Sequence, residues 1–398
     1  MLIAHKIALD PTQAQRLHFA RAAGTARFAW NWALAEWKRQ YAEGGKPSHY
    51  TLRKHLTTIK REQFPWMFDV SKCVVQEAII DLDAAYQAFF AKRTKFPRFK
   101  SRRDKPSFCA ANEAGTFRAD GKRIKLPVIG WVQMREQVRF SGALKRATVS
   151  CEAGRWFVAL MIDTQDVKAA SGLHGVVGVD LGVTSLAILS NGEVIAGPKA
   201  HKAALKRLRR ANKALARKKK GSANFRKAKA RLAKVHARVA AVRKDALHKL
   251  THRLATTYAL IGVENLNVSG MMANRHLARA IGDQGFHEFR RQLDYKCKWY
   301  GSRLVVADRW YPSSKTCSCC GVVKTTLALS TRTFQCAECG FEGDRDENSA
   351  INLSRQAVSL TVSACGEERS DVKVARPRVK RASVKQETIA LVSNDQAA

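Results

Sequence analysis

The sequence predicts a multi-domain protein, part α+β and part α/β, in which a helical lobe interrupts a small β-domain and a second, mixed domain carries a cysteine ribbon. Three observations predict it: helical periodicity from Thr12 to about Lys92 with strand patterns on both sides, a composition break near residue 170, and two C-x2-C pairs fifteen residues apart further on. A chain of 398 residues with 45% hydrophobic content has the length and the apolar material for such an arrangement.

Residues 2–9, LIAHKIAL, read as a short strand ended by Asp10-Pro11, where a helix can begin with proline at its first position. LHFARAAGTARFAWNWALAEWKRQY then places Phe19, Ala23, Ala26, Trp30, Leu34 and Trp37 on one helical face, and VVQEAIIDLDAAYQAFF repeats the period, so 11–92 is a helical lobe. In KRTKFPRFKSRRDK, 92–105, the cations Lys95, Arg98, Lys100, Arg102 and Arg103 alternate with Phe96, Pro97 and Phe99. That composition suits a segment that tracks a nucleic-acid backbone and stacks on bases, and equally a solvated basic linker anchored by two rings. From Ser107 to about Asp163, RIKLPVIGWVQM, ATVSC and RWFVALMI read as strands of a small barrel or sandwich. With the strand at 2–9, residues 1–10 and 93–170 make one β-domain, into which the lobe is inserted.

After KAASGLHG, the run VVGVDLGVTSLAILSNGEVIAG reads as an antiparallel meander, its last turn at Asn191-Gly192, with Asp180 near the end of the first strand. Residues 199–253 hold 21 Lys or Arg against one acid, Asp245, and read as two helices broken at KGSAN, 220–224. The second carries Leu232, Val235, Val239, Val242, Ala246, Leu250 and Leu254 as an apolar stripe. A hairpin over 199–255 would bury that stripe and offer Lys206, Arg207, Arg209, Arg210, Lys218, Lys219 and Lys220 to a polyanion. Residues 368–398 lack apolar periodicity and read as a disordered basic tail.

Charge narrows the function classes. Lys plus Arg number 71 against 33 Asp plus Glu, a net +38, and each phosphate such a surface neutralises releases condensed counterions, which makes nucleic acid the leading partner. No apolar run reaches the ~18–20 residues of a membrane span, and the opening MLIAHKIALDPTQAQ lacks a signal-peptide plan, so a cytoplasmic protein is expected. Phosphate-loop, nucleophile-elbow and zinc-protease motifs are absent, and the histidines are dispersed.

Five of the ten cysteines fall within 317–339. Cys317-x2-Cys320 and Cys336-x2-Cys339 have the spacing of a four-thiolate Zn2+ site, each knuckle closed by a glycine, Gly321 or Gly340. Four protein ligands leave no open position, so the metal is structural; an iron-sulfur cluster or a redox pair is the other use of this spacing. Cys319, inside the first knuckle, is a spare thiol. Three acids stand where strands end or a helix begins: Asp180, Glu264 after YALIGV, and Asp346 in DRDENSAINL. Singly they read as a turn residue, a strand-end charge and a helix N-cap. Converging, they would repel unless cations neutralised them, and their hard oxygens suit two Mg2+ or Mn2+ ions serving in-line phosphodiester hydrolysis.

These residues, in this order, resemble the transposon-encoded TnpB nucleases of the insertion-sequence OrfB type, relatives of the miniature type V CRISPR effectors. GVDLGVTSLAILSNGE, IGVENLNVSGMM, VADRWYPSSKTCSCCG and FQCAECGFEGDRDENSAINL carry the resemblance, with weaker support in KFPRFKS and RFAWNWAL. It implies a β-barrel wedge (1–10 and 93–170) with a helical recognition insertion (11–92), then an RNase H-like RuvC nuclease domain (171–314 and 342–367) interrupted by a zinc ribbon (315–341). It makes Asp180, Glu264 and Asp346 the RuvC carboxylates. Asp346 is preferred to Asp344 because it precedes Asn348 in D-x-N-x-A, where this chain has Ser349 in place of the usual alanine. The partners implied are a guide RNA from the transposon end, or a CRISPR-like RNA, and double-stranded target DNA read next to a short flanking motif, in a bacterial, nucleoid-associated setting. A catalytically silent guided repressor and an unguided junction resolvase or transposase are the alternatives.

Overall fold

The computed structural model describes residues 1–112, 115–165, 167, 169–328 and 330–366, so the expected tail at 368–398 lies outside the described residues. The first β-system comprises β1 (Leu2–Ala8), β2 (Ser107–Ala111), β3 (Arg118–Asp120), β4 (Arg123–Leu126), β5 (Gly130–Gln133), β6 (Ala143–Glu152) and β7 (Arg155–Asp163). One antiparallel sheet runs β1-β7-β6-β2 and a second β3-β4-β5, linked by the Leu9–Met134 bridge. The alternation of β7, with Trp156, Val158, Leu160 and Ile162 buried, turns one face onto a core shared with β1, β4 and the helices above it.

Those helices are α1 (Gln13–Ala42), α2 (His49–Gln63) and α3 (Lys72–Phe90). α1 begins two residues later than Pro11 suggests, because Thr12 caps it: the Thr12 hydroxyl accepts from Gln15 N and the Gln15 side chain accepts from Thr12 N. Its expected apolar face is buried throughout, Phe19, Ala23 and Ala26 against the sheets and Trp30, Leu34 and Trp37 against α2 and α3, where Trp37 stacks on Tyr86 at 4.3 Å.

The second half contains β8 (His174–Asp180), β9 (Ala187–Leu189), β10 (Val194–Ile195), α4 (Ala200–Ala216), α5 (Ala223–Thr257), β11 (Tyr258–Val263), α6 (Val268–Ala273), α7 (Ala278–Gln284), α8 (Phe286–Tyr300), β12 (Arg303–Val306), β13 (Thr333–Gln335), β14 (Glu342–Asp344) and α9 (Arg345–Gly366). Five strands form one sheet in the order β10-β9-β8-β11-β12, antiparallel through β8 and parallel from β8 to β12. Val177, Val179, Ile261 and Val263 point to one face, against Leu247, Leu254, Phe286, Phe289 and Leu293 of α5 and α8. The opposite face receives α9, through Ala350, Leu353 and Ala357.

The α4–α5 hairpin is present, but of the apolar stripe on α5 only Val239, Leu250 and Leu254 are buried, with Leu247 joining them; Leu232, Val235, Val242 and Ala246 stay half-buried. α4 has 17 residues against 35 in α5 and faces it largely with alanine, which leaves a cleft of about 1120 Å³ between the two helices. No helix among the described residues is long and apolar enough to cross a membrane.

Candidate active site

Asp180 ends β8, and Glu264 follows the last residue of β11. The two strands are parallel with Val179 opposite Val263, so the next residues of each, Asp180 and Glu264, emerge side by side. Side chains alternate along a strand, so both acids share the face of Gly178 and Gly262, the face that α9 covers. Asp346, in the first turn of α9, comes down on them from the other layer. Burial first, then the negative charges of Glu264 and Asp346, push the Asp180 carboxyl up to about 8. Burial and Asp346 likewise raise Glu264, against a hydrogen bond that favours its ionised form. That bond comes from Ser313 Oγ to Glu264 Oε1, at 2.5 Å. Ser349 Oγ donates to Asp180 Oδ1 at 3.0 Å.

Gly178 and Gly262 decide how close α9 can lie. They face each other in register, and a Cβ on Gly178 would meet Ala350 O at 1.8 Å, one on Gly262 Leu353 O at 2.4 Å. The helix backbone therefore rests on bare strand, which brings its first turn down to the carboxylates. Asp344, not Asp346, caps that helix: Asp344 Oδ1 accepts from the backbone N–H of Asp346 and of Glu347, both at 2.9 Å. The N-cap reading of Asp346 is thereby replaced. Its carboxylate is met by Arg345, at 2.7 Å and 3.0 Å, and by Arg332, at 3.4 Å.

Cys317, Cys320, Cys336 and Cys339 bring their sulfurs within 4.8 Å of one another; among the described residues no other group of His, Cys, Asp or Glu draws together so tightly, the three carboxylates included. The Cys317–Cys339 and Cys320–Cys336 separations are 3.7 and 3.6 Å. Tetrahedral zinc at ~2.3 Å from each sulfur requires about 3.8 Å between sulfurs, so the donor set fits that ion. Cys319 stands outside the cluster, its N–H directed at Cys317 Sγ at 3.4 Å. One face of α9 is tied to this first knuckle. Asn348 accepts from Ser318 N at 2.8 Å and donates to Thr316 O at 2.7 Å, Asn352 donates to Ser313 O and Thr316 O, and Arg355 donates to Ser318 O.

Sequence comparison now bears on this site. Family models match in three places: OrfB_IS605, "Probable transposase", at 159–275; the "Cas12f1-like, TNB domain" at 286–353; and the OrfB_IS605 "Helix-turn-helix domain" at 1–46. A Streptomyces pristinaespiralis protein named "Putative RNA-guided DNA endonuclease" is 37% identical over 389 residues, 96% of each chain. The chain belongs to the OrfB/TnpB family. The similarly named InsQ of Escherichia coli is 33% identical, over 92% of this chain and 94% of that one. A chain in the "Cryo-EM structure of the Cas12f1-sgRNA-target DNA complex" covers 86% of this one, and is itself covered to 83%, with a TM-score of 0.55 at 14% identity, a likeness of fold.

Where the OrfB/TnpB model is called helix-turn-helix, this member has β1 and the single uninterrupted helix α1. The basic candidates lie on two separate elements. Lys206, Arg207, Arg209 and Arg210 are exposed on α4, and Lys218, Lys219 and Lys220 on the turn after it. Lys95, Arg98, Arg102 and Arg103 are exposed on the segment 95–103, which is strapped to α1: Trp30 Nε1 donates to Arg98 O at 3.0 Å, and Asn31 bonds both Lys100 O and Lys100 N. Lys100 differs from its neighbours. Its amine lies 3.6 Å from the Trp30 ring centroid, and burial lowers its pKa, so it faces inward. Sequence reasoning missed Ser313, Arg332, Arg345 and the knuckle contacts of Asn348 and Asn352. Ser349, which stands where alanine is usual, was given no role, whereas its hydroxyl bonds the first carboxylate. The i, i+4 spacing of Asn348 and Asn352, two amides on one helix face, was the available signal.

Proposed function

We propose that this member of the OrfB/TnpB family is an RNA-guided DNA endonuclease of a transposable element, cutting target DNA by metal-dependent phosphodiester hydrolysis at one RuvC-type site made of Asp180, Glu264 and Asp346. The observation that carries the reading is the meeting of these acids: two at the ends of adjacent parallel strands, a third from the helix above, with Asp180 raised by burial and by the charges of Glu264 and Asp346, and Glu264 raised by burial and by Asp346. Acids held so near a core call for a cation, and carboxylate oxygens suit Mg2+ or Mn2+. Such ions, when bound, stabilise charge on the attacking and leaving oxygens of an in-line displacement. Ser349 and Ser313 each occupy one oxygen of Asp180 and Glu264, which orients the carboxylates and leaves the second oxygen of each for an ion. Arg345 and Arg332 hold Asp346 and bring positive charge to where a phosphate would lie.

The sheet order β10-β9-β8-β11-β12, with only its first turns antiparallel, supports an RNase H-like domain over 171–314 and 342–367. We read 315–341 as a structural zinc ribbon that fixes α9, residues 1–10 and 93–170 as a wedge barrel, and 11–92 as the recognition insertion. The names of the relatives and the net +38 support a guide RNA and a double-stranded target as partners. The guide would come from the transposon end or from a CRISPR-like locus.

The test is Mg2+-dependent plasmid cleavage by protein purified together with RNA from its own locus. Wild type should cut next to sequence matching the bound RNA, and Asp180→Ala should not. Unchanged cleavage by Asp180→Ala would remove the active site; protein free of RNA that cuts branched DNA would point to a resolvase instead.

A further inference from the structure

A cleft of about 480 Å³ opens beside Glu264, which lines it together with residues that have no role so far. Leu266, Met272 and Phe286 form apolar walls, and Arg290 and Arg309 bring two cations to it. Arg290 is oriented by a hydrogen bond to Asn265 Oδ1 at 2.7 Å, and Arg309 is exposed with no carboxylate partner among the described residues. The next residue is the outlier of the molecule: Trp310 is 84% exposed, whereas the other tryptophan with a well-exposed ring, Trp66, is at 42%.

A single exposed ring is ordinarily unremarkable on a protein surface. Here the loop that bears it is fixed at both ends to the acid site. Ala307 N donates to Val263 O at 2.8 Å, and Ser313 bonds Glu264 itself. Between those anchors, Trp310 N donates to Asp308 Oδ1 at 2.8 Å and the Tyr311 hydroxyl reaches Asn352 O at 3.4 Å. The backbone thus holds a large apolar face out to water close to Glu264. Two residues lie between Trp310 and either anchor, so three peptide steps limit the distance of its Cα from each to roughly 10–11 Å.

We propose that Trp310 is a stacking platform for one base of the DNA strand being cut, and that the cleft between Arg290 and Arg309 seats that strand's phosphate backbone. The proposal rests on the nuclease reading and deepens it, because it specifies the form of the substrate. A base in a duplex is covered on both faces, so a ring that stacks on it selects a strand already unpaired. At ~3.4 Å per stacked nucleotide, the reach of the loop places that base within about three nucleotides of the scissile bond.

The experiment has two arms. In the first, single-turnover cleavage by the full-length protein with its RNA is measured on targets carrying one abasic position, moved across four nucleotides on each side of the cut. On intact target Trp310→Ala should slow cleavage about tenfold, while Trp310→Phe stays within about threefold of wild type. At one abasic position wild type should lose the same factor, and Trp310→Ala should lose nothing further. Additive losses at every position, or no loss on intact target, would overturn the proposal.

The second arm requires no cutting. Asp180→Asn protein is titrated into a single-stranded oligodeoxythymidylate bearing 2-aminopurine. Quenching of the probe should disappear in Asp180→Asn with Trp310→Ala and return with Trp310→Phe; quenching indifferent to residue 310 counts against stacking. Should wild type fail to cut at all, the nuclease reading falls while this arm still decides the platform.

Discussion

Gly178 and Gly262 stand opposite one another in two parallel strands, and the carbonyls of one helix fill the space that a methyl group on either would need. Gly178→Ala would put its Cβ 1.8 Å from Ala350 O, a clash with backbone that no side-chain rotation relieves. We expect a loss of about 2–4 kcal/mol, read as a lower melting temperature, and cleavage reduced to background because α9 is lifted off the carboxylates. Gly262→Ala, at 2.4 Å from Leu353 O, should do the same to a smaller extent.

The two raised carboxyls make stability depend on pH. Folded Asp180 keeps its proton up to about 8, whereas an unfolded aspartate loses its own near 4, so between those values folding must take up protons. The contribution is therefore fully favourable below the unfolded value and is lost as pH rises through the folded one. Metal-free protein should melt progressively lower from pH 5 to pH 8. Asp180→Asn should raise stability at pH 8 by about 1–3 kcal/mol, and Mg2+ should raise the melting temperature of wild type more at pH 8 than at pH 5. Differential scanning fluorimetry with and without Mg2+ checks both.

Ser349 donates to Asp180, and that bond favours the ionised carboxylate. In Ser349→Ala the Asp180 carboxyl should titrate at still higher pH, so the rising limb of the cleavage pH profile moves up and activity at pH 7 falls about two- to fivefold. A profile superimposable on that of wild type would mean the hydroxyl does nothing at the site.

Elemental analysis separates the cysteines. Cys320→Ser should lose zinc and cleavage together, and Cys319→Ser should keep both, because only Cys320 belongs to the cluster. Asn348→Ala, which cuts the link between knuckle and helix while sparing the four sulfurs, should retain zinc yet lose most cleavage.

Local pattern exposed what is local. The apolar run before Asp180 gave β8 and its terminal acid, the Asn191-Gly192 turn gave the last hairpin of the meander, and the paired C-x2-C spacing gave the sulfur cluster. What stayed hidden depends on chain partners far apart. Nothing near Gly178 announces that it lies beside Gly262, since a glycine in a strand could equally mark a bulge. β12 and α8 escaped because their apolar residues gain meaning only from packing on β11 and α5. Ser313 looks like a loop polar residue until Glu264 is found against it. Leu232 and Val235 continued a convincing stripe, but a stripe predicts burial only where the facing helix has side chains large enough to cover it, and α4 faces this part of α5 largely with alanine.

α9 also sets an order of events during synthesis. β8 and β11, with the first two acids, leave the ribosome about eighty residues ahead of Asp346, some 4–16 s at ordinary elongation rates. Throughout that interval the nascent chain already carries its basic hairpin, while the helix that would complete the proposed cutting centre has yet to be made.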